Sequence, residues 1–150
     1  MMAPNASSKT AIRHGSCLCG KVRYQVTGEP LTFFVCHCGN CKKATGSAFM
    51  TNTFFLEKNV RVFEGKDQLS CFRDTNTASG VALRRYFCSK CGSNVLLSSE
   101  QKDNNLTIVT FGTIDDKVAW FPRKERFPEH MLPFVKGINL NPKGLARPKL

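Results

Sequence analysis

Val35-Cys36-His37-Cys38-Gly39-Asn40-Cys41 places three cysteines within six positions. A tetrahedral metal takes four ligands, and this loop offers three thiols, so its reading turns on what the rest of the chain adds. The remaining cysteines form two pairs and a singleton: Cys17-Leu18-Cys19-Gly20, Cys88-Ser89-Lys90-Cys91-Gly92, and Cys71 alone.

The Cys88-x-x-Cys91-Gly92 string is a metal-knuckle pattern. Its turn brings two sulfurs to one ion, and the glycine admits a backbone conformation in which amides donate to thiolates. Two such half-sites from distant parts of a chain complete a closed, structural Cys₄ shell. We pair Cys17 and Cys19 with Cys88 and Cys91, although spacing by itself does not dictate that pairing. The opening loop then keeps three sulfurs of its own, the donor count of a catalytic zinc with one position free for water or substrate. The alternative is that His37, His14, His130 or Cys71 completes an inert shell. His37 suits that role poorly, because in an extended Cys-His-Cys its side chain points away from both neighbours.

Composition bounds the setting. The chain has 150 residues, enough for one domain with one core. Hydrophobic and charged contents of 41% and 22% are ordinary for a globular protein. No stretch approaches the ~20 apolar residues of a bilayer span, and the first thirty residues lack a signal-type apolar run. The expected compartment is therefore reducing and cytoplasmic, where eight cysteines read as metal ligands rather than disulfides. The metal expected is zinc, as two ions; iron is the other occupant of all-thiolate shells. The formal charge is +11; seven thiolates on two dications lower it by three, to about +8. A basic chain is compatible with an acidic small molecule, an anionic surface or nucleic acid, and equally with simple solubility.

Lys21 to Thr27 alternates polar and apolar residues and reads as a half-buried strand closed by Gly28-Glu29-Pro30. Leu31–Val35, Ser47–Phe55, Val60–Phe63, Leu69–Arg73, Val81–Phe87, Val95–Ser98 and Leu106–Phe111 are further short strands, rich in Val, Phe and Thr. Cys41–Thr45 allows one helical turn. The reading is mainly β, in small antiparallel sheets, with residues 1–11 as a flexible leader, 12–135 as the zinc domain and 136–150 as an irregular basic strap. Arg123, Lys124 and Arg126 are expected on a surface turn, and Cys71 as a filler of the core.

Three blocks carry a family resemblance. Gly15-Ser16-Cys17-Leu18-Cys19-Gly20-Lys21-Val22-Arg23-Tyr24 resembles the opening of the glutathione-dependent formaldehyde-activating family, also called the centromere protein V family. Cys36-His37-Cys38-Gly39-Asn40-Cys41-Lys42-Lys43 with Thr45-Gly46-Ser47-Ala48-Phe49 is similar to its second block. Arg85-Tyr86-Phe87-Cys88-Ser89-Lys90-Cys91-Gly92-Ser93 is similar to its third. The resemblance implies a β-tent zinc fold. It also implies a structural zinc on Cys17, Cys19, Cys88 and Cys91, and a second zinc on Cys36, Cys38 and Cys41, open to a small ligand. The implied activity is that of a carbon–sulfur lyase joining glutathione and formaldehyde into S-hydroxymethylglutathione, or reversing that step. The sequence departs from the family after His130, where relatives often carry a tryptophan. Here Met131-Leu132-Pro133-Phe134-Val135 follows, and the only tryptophan is Trp120.

On this reading Cys36, Cys38 and Cys41 hold the reactive ion, and Cys38 is a candidate leaving ligand or nucleophile. His37 and His130 are candidate bases. Lys42, Lys43, Arg84 and Arg85 are candidates to bind a substrate's carboxylates, and each is equally suited to a solvated face. Phe33, Phe34, Phe49, Phe54 and Phe55 either wall a dry pocket or pack the core. Three functions follow: an enzyme of thiol–carbonyl adducts, an enzyme of the same fold acting on another small molecule, and a non-catalytic basic zinc module. The expected partner is a small thiol such as glutathione, with no membrane. Against nucleic acid, no run of five Lys or Arg and no aromatic–basic signature occurs.

Overall fold

Alternation of side chains sorts each strand into a core face and an outer face. In β2 (Arg23–Thr27), Tyr24 and Val26 are buried and Arg23 is exposed. The strand lies between β1 (Ile12–Ser16) and β5 (Val60–Glu64) in a three-stranded antiparallel sheet. A second sheet has seven strands: β10 (Lys124–Arg126), β3 (Thr32–Cys36), β4 (Met50–Leu56), β9 (Leu106–Thr110), β8 (Asn94–Ser99), β7 (Leu83–Cys88) and β6 (Leu69–Asp74), in that order. One short helix, α1 (Gly39–Thr45), joins β3 to β4. The computed structural model describes residues 10–135. The expected strap at 136–150, and the expected leader except Thr10 and Ala11, lie outside the described residues.

The main core forms where the two sheets meet, from Tyr24 and Val26 of the small sheet and Phe33, Phe55, Val95 and Val109 of the large one, with Trp120. Each such side chain contributes roughly 1.5–3 kcal/mol on leaving water. The opposite face of the large sheet carries Phe34 and Cys36 on β3, Asn52 and Phe54 on β4, and Leu83 and Arg85 on β7, which all border one cavity. Thus the period-2 rule that buries one row presents the next row to the site.

The structure is mainly β, as the strand pattern indicates, but the larger sheet is broader than a small antiparallel unit and includes one parallel pair, β3 with β10. Lys124–Arg126 is therefore a strand and not a surface turn. No apolar alternation marks it; backbone bonds from Arg123 N to the Phe33 carbonyl and from His37 N to the Arg126 carbonyl, both 3.0 Å, hold it against β3. β1 also goes unmarked in the sequence, because Gly15 interrupts it. The glycine is required by close approach: a Cβ there would stand 2.2 Å from Tyr24 Cζ across the strand pair. Cys71 is a second correction. It lies exposed on β6, the edge strand, and fills no core.

Candidate metal centres

Two sulfur clusters form, with the memberships the sequence suggests: Cys17, Cys19, Cys88 and Cys91 in one, and Cys36, Cys38 and Cys41 in the other. Within each, all Sγ atoms lie within 4.8 Å of one another. All eight cysteines are free thiols.

The first cluster joins two turns. The Cys17 turn closes with Gly20 N donating to the Cys17 carbonyl at 2.9 Å, and Val22 N donates to Cys17 Sγ at 3.2 Å. The Cys88 turn closes with Gly92 N donating to the Cys88 carbonyl at 2.8 Å, and Gly92 has φ +74°, a conformation glycine adopts without strain. Ser93 bridges the turns: its hydroxyl accepts from Leu18 N at 2.9 Å and lies 3.3 Å from Cys91 Sγ. Sulfur separations of 3.6 Å for Cys17–Cys19 and 3.8 Å for Cys19–Cys88 suit a zinc tetrahedron, whose ~2.3 Å bonds span edges of roughly 3.8 Å. The Ser93 hydroxyl and amide push the Cys91 thiol down to about 5. This donor set fits a closed, four-thiolate metal shell.

The second cluster sits where β3 runs into α1. Cys36 ends the strand, Cys38 is the N-cap of the helix and Cys41 lies in its first turn. Cys41 N donates to Cys38 Sγ at 3.3 Å. Cys36 and Cys41 are buried, and Cys38 is half-buried. The Cys41 thiol donates to Cys36 and pushes it down to about 5, against the opposing effect of burial. Cys41 itself is driven far up, by that same bond and by burial. Crowded sulfurs thus share protons when no cation is present, and a dication removes that conflict. Soft donors at this spacing fit zinc with three protein ligands.

His37 is fully buried, and its side chain belongs to neither cluster. It points the other way, with Nε2 at 3.0 Å from Glu125 Oε1 and its ring edge-on to Phe49. The pair clamps the Cys-His-Cys segment to β10. His14 is exposed beside Asp116 and also joins neither cluster.

A cavity of about 430 Å³ opens over the second cluster. Phe34 and Phe54 form an apolar wall, their rings edge-to-face at 5.1 Å. Arg126 lies over Phe34 at 5.5 Å, and Phe127 beside it has φ +55°, a strained backbone for a bulky residue, of the kind found at functional sites. His130 completes this rim. Lys42 Nζ donates to the His130 carbonyl at 2.8 Å, so that lysine braces the rim. Lys43 is exposed on α1. Arg84 faces away, paired with Glu100 at 2.9 Å, whereas Arg85 lines the cavity. Phe33 and Phe55 pack the core, so the aromatic residues divide between the two expected roles. Trp120 is also core, its indole N–H donating to Glu29. Asn52 and Asp74 are polar residues at the site that sequence reasoning missed. For Asn52 a signal existed: strand parity places it with Phe54, and Oδ1 is buried without a partner. A second cavity, of about 480 Å³, lies between α1 and the Cys88 turn and touches only Cys91 among the ligand candidates.

The family model described as glutathione-dependent formaldehyde-activating enzyme matches residues 12–130. A Halomonas elongata protein named for glutathione-dependent formaldehyde activation is 32% identical over 83 residues, which is 53% of this chain and 51% of that protein. The chain therefore spans about half the length of that curated relative. The crystal structure of a Rhodobacter sphaeroides protein matches with a TM-score of 0.54 at 20% identity, over 70% of this chain and 90% of the other, a likeness of fold alone.

Proposed function

This chain belongs to the glutathione-dependent formaldehyde-activating enzyme family, and from that premise we propose that it is a zinc-dependent carbon–sulfur lyase or synthase of thiol–carbonyl adducts, with S-hydroxymethylglutathione as the type. One observation carries the reading: a cluster of three sulfurs, rather than four, borders a cavity large enough for a small molecule. Cys17, Cys19, Cys88 and Cys91 would hold a structural zinc. Cys36, Cys38 and Cys41 would hold the second, which when bound supplies a Lewis acid with a free coordination position.

In the synthetic direction the thiol sulfur bonds to the aldehyde carbon, the C=O π bond opens, and the thiol proton ends on the former carbonyl oxygen. Lysis is the reverse, and no oxidant enters. His130 is the one imidazole among the cavity's lining residues, and we assign the proton to it. Asn52 lines the cavity and its Oδ1 is buried without a partner, and we assign to it acceptance from the new hydroxyl. Phe34 and Phe54 exclude water from that end, which strengthens the polar contacts made there. The His37–Glu125 clamp keeps the sulfurs in place. A cytoplasmic, glutathione-containing setting belongs to the same proposal; the structure adds that no helix among the described residues is long and apolar enough to cross a membrane.

A second reading keeps this chemistry and changes the substrate. A cavity of about 430 Å³ with apolar walls exceeds what formaldehyde needs and accommodates a bulkier carbonyl compound. The test is exchange of formaldehyde with glutathione, followed by magnetisation-transfer NMR with the two-zinc protein added. The expected result is acceleration that disappears in Cys38→Ser. Exchange unchanged by protein, with the second ion present, removes the glutathione reading.

A further inference from the structure

Arg85 is the only arginine of the large sheet whose side chain is sunk beneath the cavity, with 7% of that side chain exposed. Its guanidinium is used unevenly. Nε donates to Asp74 Oδ2 at 2.9 Å and Nη2 lies 2.9 Å from the same oxygen, while Nη1 is buried and has no partner. A buried N–H without an acceptor costs roughly 1–3 kcal/mol, which native structures seldom leave standing without a reason. Asp74 meets the Nε and Nη2 side and leaves Nη1 without an acceptor; its carboxylate also accepts from Asn40 Nδ2 at 3.0 and 2.9 Å. Asn40 lies between Cys38 and Cys41 and donates further to the Asn76 carbonyl at 2.7 Å. The free donor is thus held rigid and tied through two side chains to the loop that carries the three sulfurs.

The cavity's charge supplies the sign of what Nη1 awaits. Its ionisable lining residues other than the cysteines are Arg85, Arg126 and His130, and no Asp or Glu lines it. We propose that Arg85 is a specificity-determining residue that anchors one carboxylate oxygen of the thiol substrate, so the site selects carboxylate-bearing thiols over neutral ones. This rests on the thiol–carbonyl reading above. Asp74 occupies the Nε–Nη2 edge of the guanidinium, so Nη1 is the donor left for a ligand, which gains a charge-assisted bond there. Lysine cannot replace it, since a single ammonium cannot satisfy Asp74 and present a rigid second donor in the same direction.

The experiment is calorimetric binding to the two-zinc full chain of 3-mercaptopropionate, of 2-mercaptoethanol, and of the thioether 3-(methylthio)propionate. We expect the carboxylate thiol to bind at least about tenfold tighter than the neutral one. R85K, and the charge-neutral double variant R85Q/D74N, which keeps at position 74 an acceptor for Asn40 Nδ2, should both reduce that preference to about twofold or less and leave 2-mercaptoethanol unchanged. Melting curves identify any variant that fails to fold, and the other then decides. A carboxylate preference that survives in a folded variant, or is missing from the unaltered protein, overturns the proposal. If neither thiol binds but 3-(methylthio)propionate does, and R85K abolishes it, the Arg85 seat stands and the thiol reading falls.

Discussion

At the scale of single residues, two cysteine replacements separate the clusters. If the four-sulfur cluster holds a structural zinc, as proposed, loss of one ligand would forfeit metal binding of ~10 kcal/mol or more, comparable to a domain's whole stability. Cys88→Ser is therefore expected to yield a chain without a cooperative melting transition. Cys38→Ser leaves a good N-cap at the start of α1; it should melt within a few degrees of the unaltered protein, bind one zinc instead of two, and lose activity. Both expectations are checked by thermal melting with metal analysis, and identical behaviour of the two variants would end the structural–reactive division. Two glycines give a finer contrast. Gly92→Ala meets nothing within 4 Å and is opposed only by its positive φ, at about 1 kcal/mol. Gly15→Ala drives a methyl into Tyr24 and the Thr113 carbonyl, and overpacking of that kind costs ~1–3 kcal/mol or more. Denaturant midpoints should rank Gly15→Ala as the more harmful. Much at this scale is legible from the letters alone, because sulfur spacing reports directly on ligand geometry. The Asp74–Asn40 bond is not, since its partners come together only in the folded chain.

At the scale of elements, legibility follows the source of each strand's stability. β2 and β3 bury alternate apolar side chains, Tyr24 with Val26 and Phe33 with Val35, and alternation is a local signal; β9 is legible instead as a short apolar run, with Ile108 and Val109 both buried. β10 has none: Lys124 and Arg126 are exposed and only Glu125 turns inward, and the strand exists because β3 offers a backbone edge and His37 offers a buried imidazole. Removing that anchor tests the account. Glu125→Ala leaves the His37 ring buried without a partner and should cost about 1–3 kcal/mol, whereas Glu125→Gln, still able to accept, should recover most of it. Hydrogen exchange should show the loss localised to β10 and the Cys36–Cys41 loop. Exchange rising evenly across both sheets would disprove the clamp. The predicted helical turn at Cys41–Thr45 extends back to Gly39, because the Cys38 sulfur caps it, a role that a cysteine does not advertise.

At the scale of the whole molecule, the two centres stand on one framework and differ in how much the framework depends on them. On the proposed assignment, an ion held by Cys17, Cys19, Cys88 and Cys91 would tie the small sheet to the end of β7 and would be released only as the sheets part. The Cys36–Cys41 loop is held independently, by β3, α1 and the His37–Glu125 clamp. A competing chelator is therefore expected to remove zinc in two phases, a fast one without change in circular dichroism and a slow one accompanied by unfolding. A single phase would mean that the ions are not independent. One bond does cross between the regions, from Asn94 Nδ2 to the Ala44 carbonyl at 2.6 Å. Four sulfurs against three could be read from the sequence, but the cavity could not, since its lining comes from six strands, the start of α1 and three loops scattered along the chain.

β7 has a consequence for protein engineering. Its outer face supplies Arg85 to the cavity, and its end supplies Cys88 to the knuckle. Sliding that strand by one position would swap a tyrosine into the binding wall and withdraw a metal ligand at the same stroke. Anyone transplanting the pocket onto a foreign scaffold must therefore carry the distant knuckle along, and libraries that vary loop length should leave these six residues intact.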